Sequence, residues 1–124
     1  MSYQAKVRQM YDMIDKGQAM EALDQYYHDD VVVIDGLSEP RNGKEAQRKA
    51  LAEWFGSVKD YHGSGVSAIT ANEDEGITTV ESWTEITFQD GSKVRMEEIG
   101  VQKWEGDKII HERFYYSIPP EMQQ

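Results

Sequence analysis

The sequence contains no cysteine, which excludes disulfide bonds, thiolate nucleophiles and Cys-ligated zinc. Positive charge is scarce: 13 lysines and arginines stand against 23 aspartates and glutamates, a net charge of −10 at pH 7. No cluster of basic side chains is available to neutralise phosphates, so nucleic acid is excluded as a partner. No apolar run approaches the ~20 residues of a membrane-spanning helix, and no membrane partner is expected. Met1 to Met10 lack the apolar stretch and small-residue cleavage site of a signal peptide, so a cytoplasmic location is expected. A Gly-rich phosphate loop and a Ser nucleophile elbow are both missing, which sets aside kinase, dinucleotide and hydrolase chemistry. His28, His62 and His111 show no metal-ligand spacing. Neither a metal nor a cofactor is expected.

What remains suffices for one core. A chain of 124 residues, 39% of them hydrophobic, buries roughly two-thirds of its unfolded surface. One domain, residues 1–124, is expected. Val7, Met10, Tyr11 and Ile14 follow the i, i+3, i+4, i+7 spacing of an amphipathic helix, which Gly17 can end. Ala19, Ala22, Leu23, Tyr26 and Tyr27 repeat it in a second helix. Val31 to Ile34 is β-branched and reads as a buried strand. Asn42 followed by Glu45 predicts the N-cap of a third helix, with Ala50, Leu51, Trp54, Phe55 and Val58 on its apolar face. From Tyr61 the period becomes two, predicting strands at about 61–71, 76–88, 93–104 and 108–117. The order implies an α+β fold, with helices covering one face of a curved antiparallel sheet.

Turn length decides which side chains share a face. A two-residue Asp90-Gly91 loop pairs Trp83 with Glu98 and Glu81 with Gly100. One face then carries Glu81, Trp83, Glu85, Met96, Glu98 and Gly100. The other carries Val80, Ile86, Phe88, Ile99 and Val101. An ordinary core would take the second face, and a polar-lined cavity would take the first.

Two short helices, a strand ending in Asp35, a capped third helix and a long meander together resemble the NTF2-like superfamily. Within it, the nearest likeness is to SnoaL-like proteins and ketosteroid isomerase. The resemblance runs from Val7 to Tyr116. It is carried by Asp29-Asp30-Val31, the Ser38-Glu39-Pro40-Arg41-Asn42-Gly43 loop, and Gly106-Asp107-Lys108-Ile109. It implies a conical α+β barrel, three N-terminal helices packed on a curved antiparallel sheet around a pocket, often in a homodimer. Ketosteroid isomerase combines an Asp base with Tyr and protonated Asp as oxyanion donors. By resemblance the base falls on Asp35, the Tyr on Met10 with Tyr11 one residue out of phase, and the second Asp on Gly100. A base without its donors should isomerise steroids poorly.

The same position of Gly100 suggests that Glu81, Trp83, Met96 and Glu98 line the pocket, with Trp54 from the third helix. Two residues in the last hairpin loop would add His111, Arg113 and Tyr115, the first and last as proton partners of Asp35. A longer loop with a bulge would present Glu112, Phe114 and Tyr116 instead. Plainer roles compete: Asp35 as a turn carboxylate, the glutamates as a solvated face, the aromatics as core. Two function classes stay open. One is a cofactor-independent isomerase, cyclase or hydratase-type enzyme acting on a small apolar carbonyl or cyclic molecule. The other is a non-catalytic ligand-binding or dimeric interaction module. A homodimer is expected through the outer sheet face, where Val80, Ile86, Phe88, Ile99 and Val101 would lie.

Overall fold

The computed structural model describes residues 1–117. Residues 118–124 of the expected domain lie outside the described residues. Helix α1 spans Tyr3–Asp15, α2 Ala19–Tyr26 and α3 Lys44–Ser57. In α1 the predicted periodic residues Val7, Met10 and Tyr11 are buried. Its first N–H groups are all engaged: Ser2 Oγ accepts from Ala5 at 3.0 Å, and the Glu73 carboxylate accepts from Tyr3 and Gln4 at 2.8 and 3.0 Å. A turn of the sheet thus satisfies orphan donors of the helix and pins its start. In α2, Ala19, Ala22, Leu23 and Tyr26 are buried. Helix α3 departs from expectation. Gly43, not Asn42, stands at its N-cap, and no side chain caps it. Asn42 is instead occupied in a two-residue strand opposite Val32. The only buried residue of α3 is Gln47, while Phe55 stays 44% exposed and packs edge-on against Trp54. No described helix is long and apolar enough to cross a membrane.

Six strands follow the order β2-β1-β6-β5-β4-β3, with β1 at Tyr27–Asp35, β2 at Arg41–Asn42, β3 at Val58–Asn72, β4 at Ile77–Phe88, β5 at Lys93–Glu105 and β6 at Lys108–Tyr116. The meander β3 to β6 is antiparallel, as its alternating sequence requires, and β1 joins parallel to β6. Register shifts at Val58/Asp60, Tyr61/Gly63 and Val66/Ala68 interrupt β3. Each adds local twist and bend, so the sheet curves around the helices without closing.

The β4–β5 register corrects the two-residue loop. Gly91 N–H donates to Phe88 O at 2.9 Å and Phe88 N–H donates to Ser92 O at 2.8 Å, a three-residue connection whose last residue, Gly91, has φ +90°. That conformation excludes most side chains, and the extra residue displaces the pairing by one. Val80 now faces Gly100, Ser82 faces Glu98 and Ile86 faces Val94. Val80 and Ile86 lie fully buried. The expected faces are therefore each split. Glu98 and Gly100 share the helix-covered face with Val80 and Ile86, whereas Glu81 and Trp83 share the outer face with Ile99.

The last hairpin is subtler. Its loop has the two expected residues, Gly106 and Asp107, with Glu105 opposite Lys108. A bulge follows, because Trp104 pairs with Ile109 and Lys103 with His111, leaving Ile110 extra. Beyond it the alternation is reversed. Glu112, Phe114 and Tyr116 point to the helix side, and His111, Arg113 and Tyr115 point outward.

Candidate functional site

Asp35 ends β1 opposite Phe114, on the face that also buries Val31 and Val33. The chain then leaves the sheet and returns in β2, which brings Arg41 beside it. Arg41 Nη2 donates to Asp35 Oδ2 at 2.7 Å, and Arg41 Nε donates to Gln47 Oε1 of α3 at 2.8 Å. With its side chain 36% exposed, Asp35 is part-open to solvent at the end of β1 rather than in the core. Its carboxylate is held by a guanidinium and not by the backbone N–H groups of a turn.

Across the interior lie two glutamates that a hydrophobic environment opposes. Glu98 of β5 is pushed up to about 7 by burial and then by the charge of Asp35. Glu112 of β6 is also raised to about 7 by burial; hydrogen bonds from Tyr27 and Gln102 oppose the rise, and Glu98 and Asp35 add to it. Two phenols complete the group. Burial, with Glu112 and Glu98 nearby, raises Tyr11 well above the ordinary value. Burial and Glu112 do the same for Tyr27, whose hydroxyl donates to Glu112 Oε1. Like-charged carboxyls in a desolvated site cannot all ionise together, which makes such a cluster a place to hold and exchange protons.

Of the predicted site residues, the fold gathers Asp35, Tyr11 and Glu98. Met10 is buried in the core. Gly100 lies on the inner face but is covered: a Cβ there would come within 2.9 Å of Gln102 Nε2 and of the Phe114 ring. Met96 is on the same face nearer the strand end, opposite Thr84. Trp54 stands half-buried on α3 against Phe55. Glu81 and Trp83 face outward; the Trp83 indole lies over Gly63 and Gly65 under the Arg95 guanidinium, 4.5 Å from the ring centre. His111, Arg113 and Tyr115 are outward as well, carried there by the Ile110 bulge. His111 is lowered by burial and by the neighbouring charges of Lys103 and Arg113.

The sequence reading missed Arg41, Tyr27 and Gln102. Arg41 was visible in the loop after Asp35, but Tyr27 reads as helix and Gln102 as an ordinary strand polar residue. Open grooves lie along β3, β4 and β5, and the larger of the two draws on residues of both faces. One of about 470 Å³ is lined by Glu81, Glu97, Ile99 and Tyr115 among others, and Ser82, Glu98 and Tyr116 border it. One of about 230 Å³ adjoins it at Glu81 and Ile99. Apart from Glu98, the groove residues include no buried acid or base, so the larger space is not where the chemistry is concentrated. Among the described residues, no group of three or more His, Asp or Glu side chains is placed to hold a metal ion.

Solved structures with the same architecture are numerous. A protein of Mesorhizobium loti provisionally described as a SnoaL-like polyketide cyclase is 24% identical, with a TM-score of 0.80 over 94% of this chain and 100% of that chain. A provisional polyketide cyclase of Pseudomonas putida KT2440 is 17% identical, with a TM-score of 0.79 over 100% of this chain and 98% of that chain. A protein of Catenulispora acidiphila with a ketosteroid isomerase-like fold, solved in complex with trimethylamine, is 14% identical, with a TM-score of 0.75 over 90% and 85% of the two chains. At these identities the likeness shows the NTF2-like fold alone. No curated protein matches the sequence. The sequence pattern of the SnoaL-like domain, however, matches residues 7–112, and the chain belongs to that family.

Proposed function

We propose that this chain binds a small, mainly apolar carbonyl or cyclic molecule on its helix-covered face and moves a proton on it without a cofactor. Family membership supports a small-molecule-binding domain. The observation that carries the catalytic part is the Asp35 carboxylate, clamped by Arg41 at the part-open end of β1 and set against Glu98, an acid near neutrality. Asp35 is placed to take a proton from carbon. Glu98 can return one, and Tyr11 supplies the buried phenol that the resemblance had assigned to Met10. These two replace His111 and Tyr115 as partners of Asp35. The half-buried Trp54 and Leu51 on α3 offer the apolar wall such a molecule needs.

Steroid isomerisation is not the reading favoured. Phe114 and Gln102 occupy the space over Gly100 where a second acidic donor would stand, and losing one such donor typically lowers a rate about 10²–10³-fold.

The test is deuteration of simple ketones such as 2-tetralone and cyclohexanone at the α-carbon in D₂O, followed by NMR. Wild type should exchange faster than buffer, and Asp35→Asn should lose about 10²-fold or more, the usual worth of a general base. Equal exchange by Asp35→Asn would remove Asp35 from the role. Binding with no exchange would favour the non-catalytic module.

A second reading concerns assembly, and one observation favours it. Arg113 Nε is buried with no hydrogen-bond partner among the described residues, its guanidinium 5.1 Å from the centre of the Tyr115 ring. On the outer face Glu81 lies toward one end, where Arg95 already pairs with Glu85 and Glu97 at 2.7 and 2.9 Å, and Lys103 and Arg113 lie toward the other, with Ile99 and Val101 along the strand between. A second copy laid antiparallel sets each end against its opposite, so we propose a homodimer through this surface.

A further inference from the structure

One interior carboxyl has no part in the chemistry just proposed. Glu112 is 1% exposed, and both its oxygens are engaged: Oε1 accepts from Tyr27 Oη, and Oε2 accepts from Gln102 Nε2 at 2.9 Å. Gln102 Oε1 in turn accepts from Thr78 Oγ1 at 2.7 Å, and Thr78 Oγ1 accepts from Trp104 Nε1 at 3.0 Å. All five side chains are buried.

The chain of hydrogen bonds runs one way. An indole N–H can only donate, so the Thr78 oxygen must accept it. The single hydroxyl hydrogen then goes to the Gln102 carbonyl, which turns the amide nitrogen toward Glu112. The groups facing Glu112 from the packed elements are Tyr11 of α1, Tyr27 and Asp35 of β1, and Glu98 and Gln102 of β5. Two are carboxylates, and the cation of this site, Arg41, is bonded to Asp35 rather than to Glu112. A buried carboxylate needs a cation or enough hydrogen-bond donors to hold its charge. This one meets donors on one side and other acids on the other.

We propose that Glu112 is the buried proton store of this site. Thr78 and Gln102 act as positioning residues that keep it an acceptor, and the Tyr27 hydroxyl exchanges its proton with the Asp35 side. The inference rests on the proton-transfer reading of Asp35. In the step envisaged, Asp35, protonated by the substrate carbon, releases that proton as the Tyr27 oxygen takes one up; the Asp35 carboxylate is bonded to Arg41, and it is coupled to Tyr27 through charge. Tyr27 passes its own phenolic hydrogen to Glu112 Oε1. Asp35 ends as carboxylate, Tyr27 neutral and Glu112 as carboxylic acid; one proton has moved and nothing else has changed. The raised position of Glu112, to about 7, means that both of its forms are populated at neutral pH.

The test is a side-chain carboxyl NMR titration of the full chain labelled with ¹³C-glutamate, from pH 5 to 9, with Glu112 assigned by its loss in Glu112→Gln. Wild-type Glu112 should titrate near pH 7. Thr78→Val frees the Gln102 amide to present its oxygen, disfavouring the anion, and should raise the midpoint by roughly one pH unit. Thr78→Ser should restore it, which a packing effect would not do. Asp35→Asn, a substitution at the part-open end of β1 that leaves the core intact, should lower the midpoint by removing a facing negative charge. A Glu112 that titrates in the ordinary carboxylate range, or whose midpoint ignores both Thr78→Val and Asp35→Asn, overturns the proposal whatever the ketone exchange shows. Absence of ketone exchange in wild type, with these shifts present, overturns the catalytic reading of Asp35 and leaves the coupled carboxyls in place.

Discussion

At the scale of single residues, the interior acids make a statement about stability as well as about chemistry. Glu98 has an ordinary value of 4.5 and stands near 7 in the fold, through burial first and Asp35 second. A folded value above the unfolded one means that folding takes up a proton between the two. The contribution of this group to stability is therefore most favourable below about pH 4.5 and declines as the pH rises through 7. The full penalty above that range is of order 3 kcal/mol, at 1.36 kcal/mol per unit. Glu98→Gln should accordingly melt at a higher temperature than wild type at pH 8, with the gap closing toward pH 5. Equal melting temperatures at pH 8 would show that solvent already relieves the charge. Part of this was legible in the sequence. Glu98 itself was read as lining a pocket, in a cluster of raised carboxyls with Glu81 and Glu85; the observed pairing with Ser82 keeps Glu98 inside and turns those two companions outward. Asp35 was readable because it ends a β-branched strand just before a turn-forming loop, features that are local. Arg41 and Gln47, which hold it, are brought there by chain reversal and leave no periodic trace.

At the scale of elements, the three helices and the four meander strands were legible because hydrophobic period is a short-range signal, whereas β1 begins at Tyr27, four residues before the Val31 run, and the two-residue β2 leaves no period to read. The faces of the two hairpins were not legible, because one extra residue, in the turn of the first and within β6 in the second, leaves the hydrophobic pattern unchanged while exchanging faces. Asp90-Gly91 suggests a tight turn, but Gln89 joins it, and Gly91 takes the left-handed position that closes a three-residue loop. Gly91→Val forces a β-branched side chain to φ +90° and should cost about 1–3 kcal/mol in urea unfolding. A cost within 0.5 kcal/mol would mean that the hairpin re-forms with the two-residue loop first expected. Helix α3 shows the opposite failure. Its apolar side chains were visible, but none of them is fully buried: Phe55 is 44% exposed, and Leu51 and Trp54 are half-buried.

At the scale of the whole molecule, the proposed pairing surface differs in membership from the one expected. Val80 and Ile86 are inside, so the outer face is less apolar than supposed; Ile99, Val101 and Tyr115 are what remain, framed by opposite charges. Association should then depend on salt, as exposed complementary charges do. Light scattering at tens of micromolar protein should give a dimer at low ionic strength, and Arg113→Glu should yield monomer. A monomeric wild type would mean that the orphan Arg113 nitrogen has some other use. The Ile110 bulge carries a consequence of its own. Ile109 is buried and Glu112 is buried, so two residues stand between them where a regular strand needs one. The strand holds a spare residue, and a chain lacking Ile110 could keep every interior side chain of β6 on its present side. What it would lose is bend. The concavity that accommodates the helices is thus written partly as surplus length, and relatives that differ by one residue at this point can share an interior while differing in how wide they open.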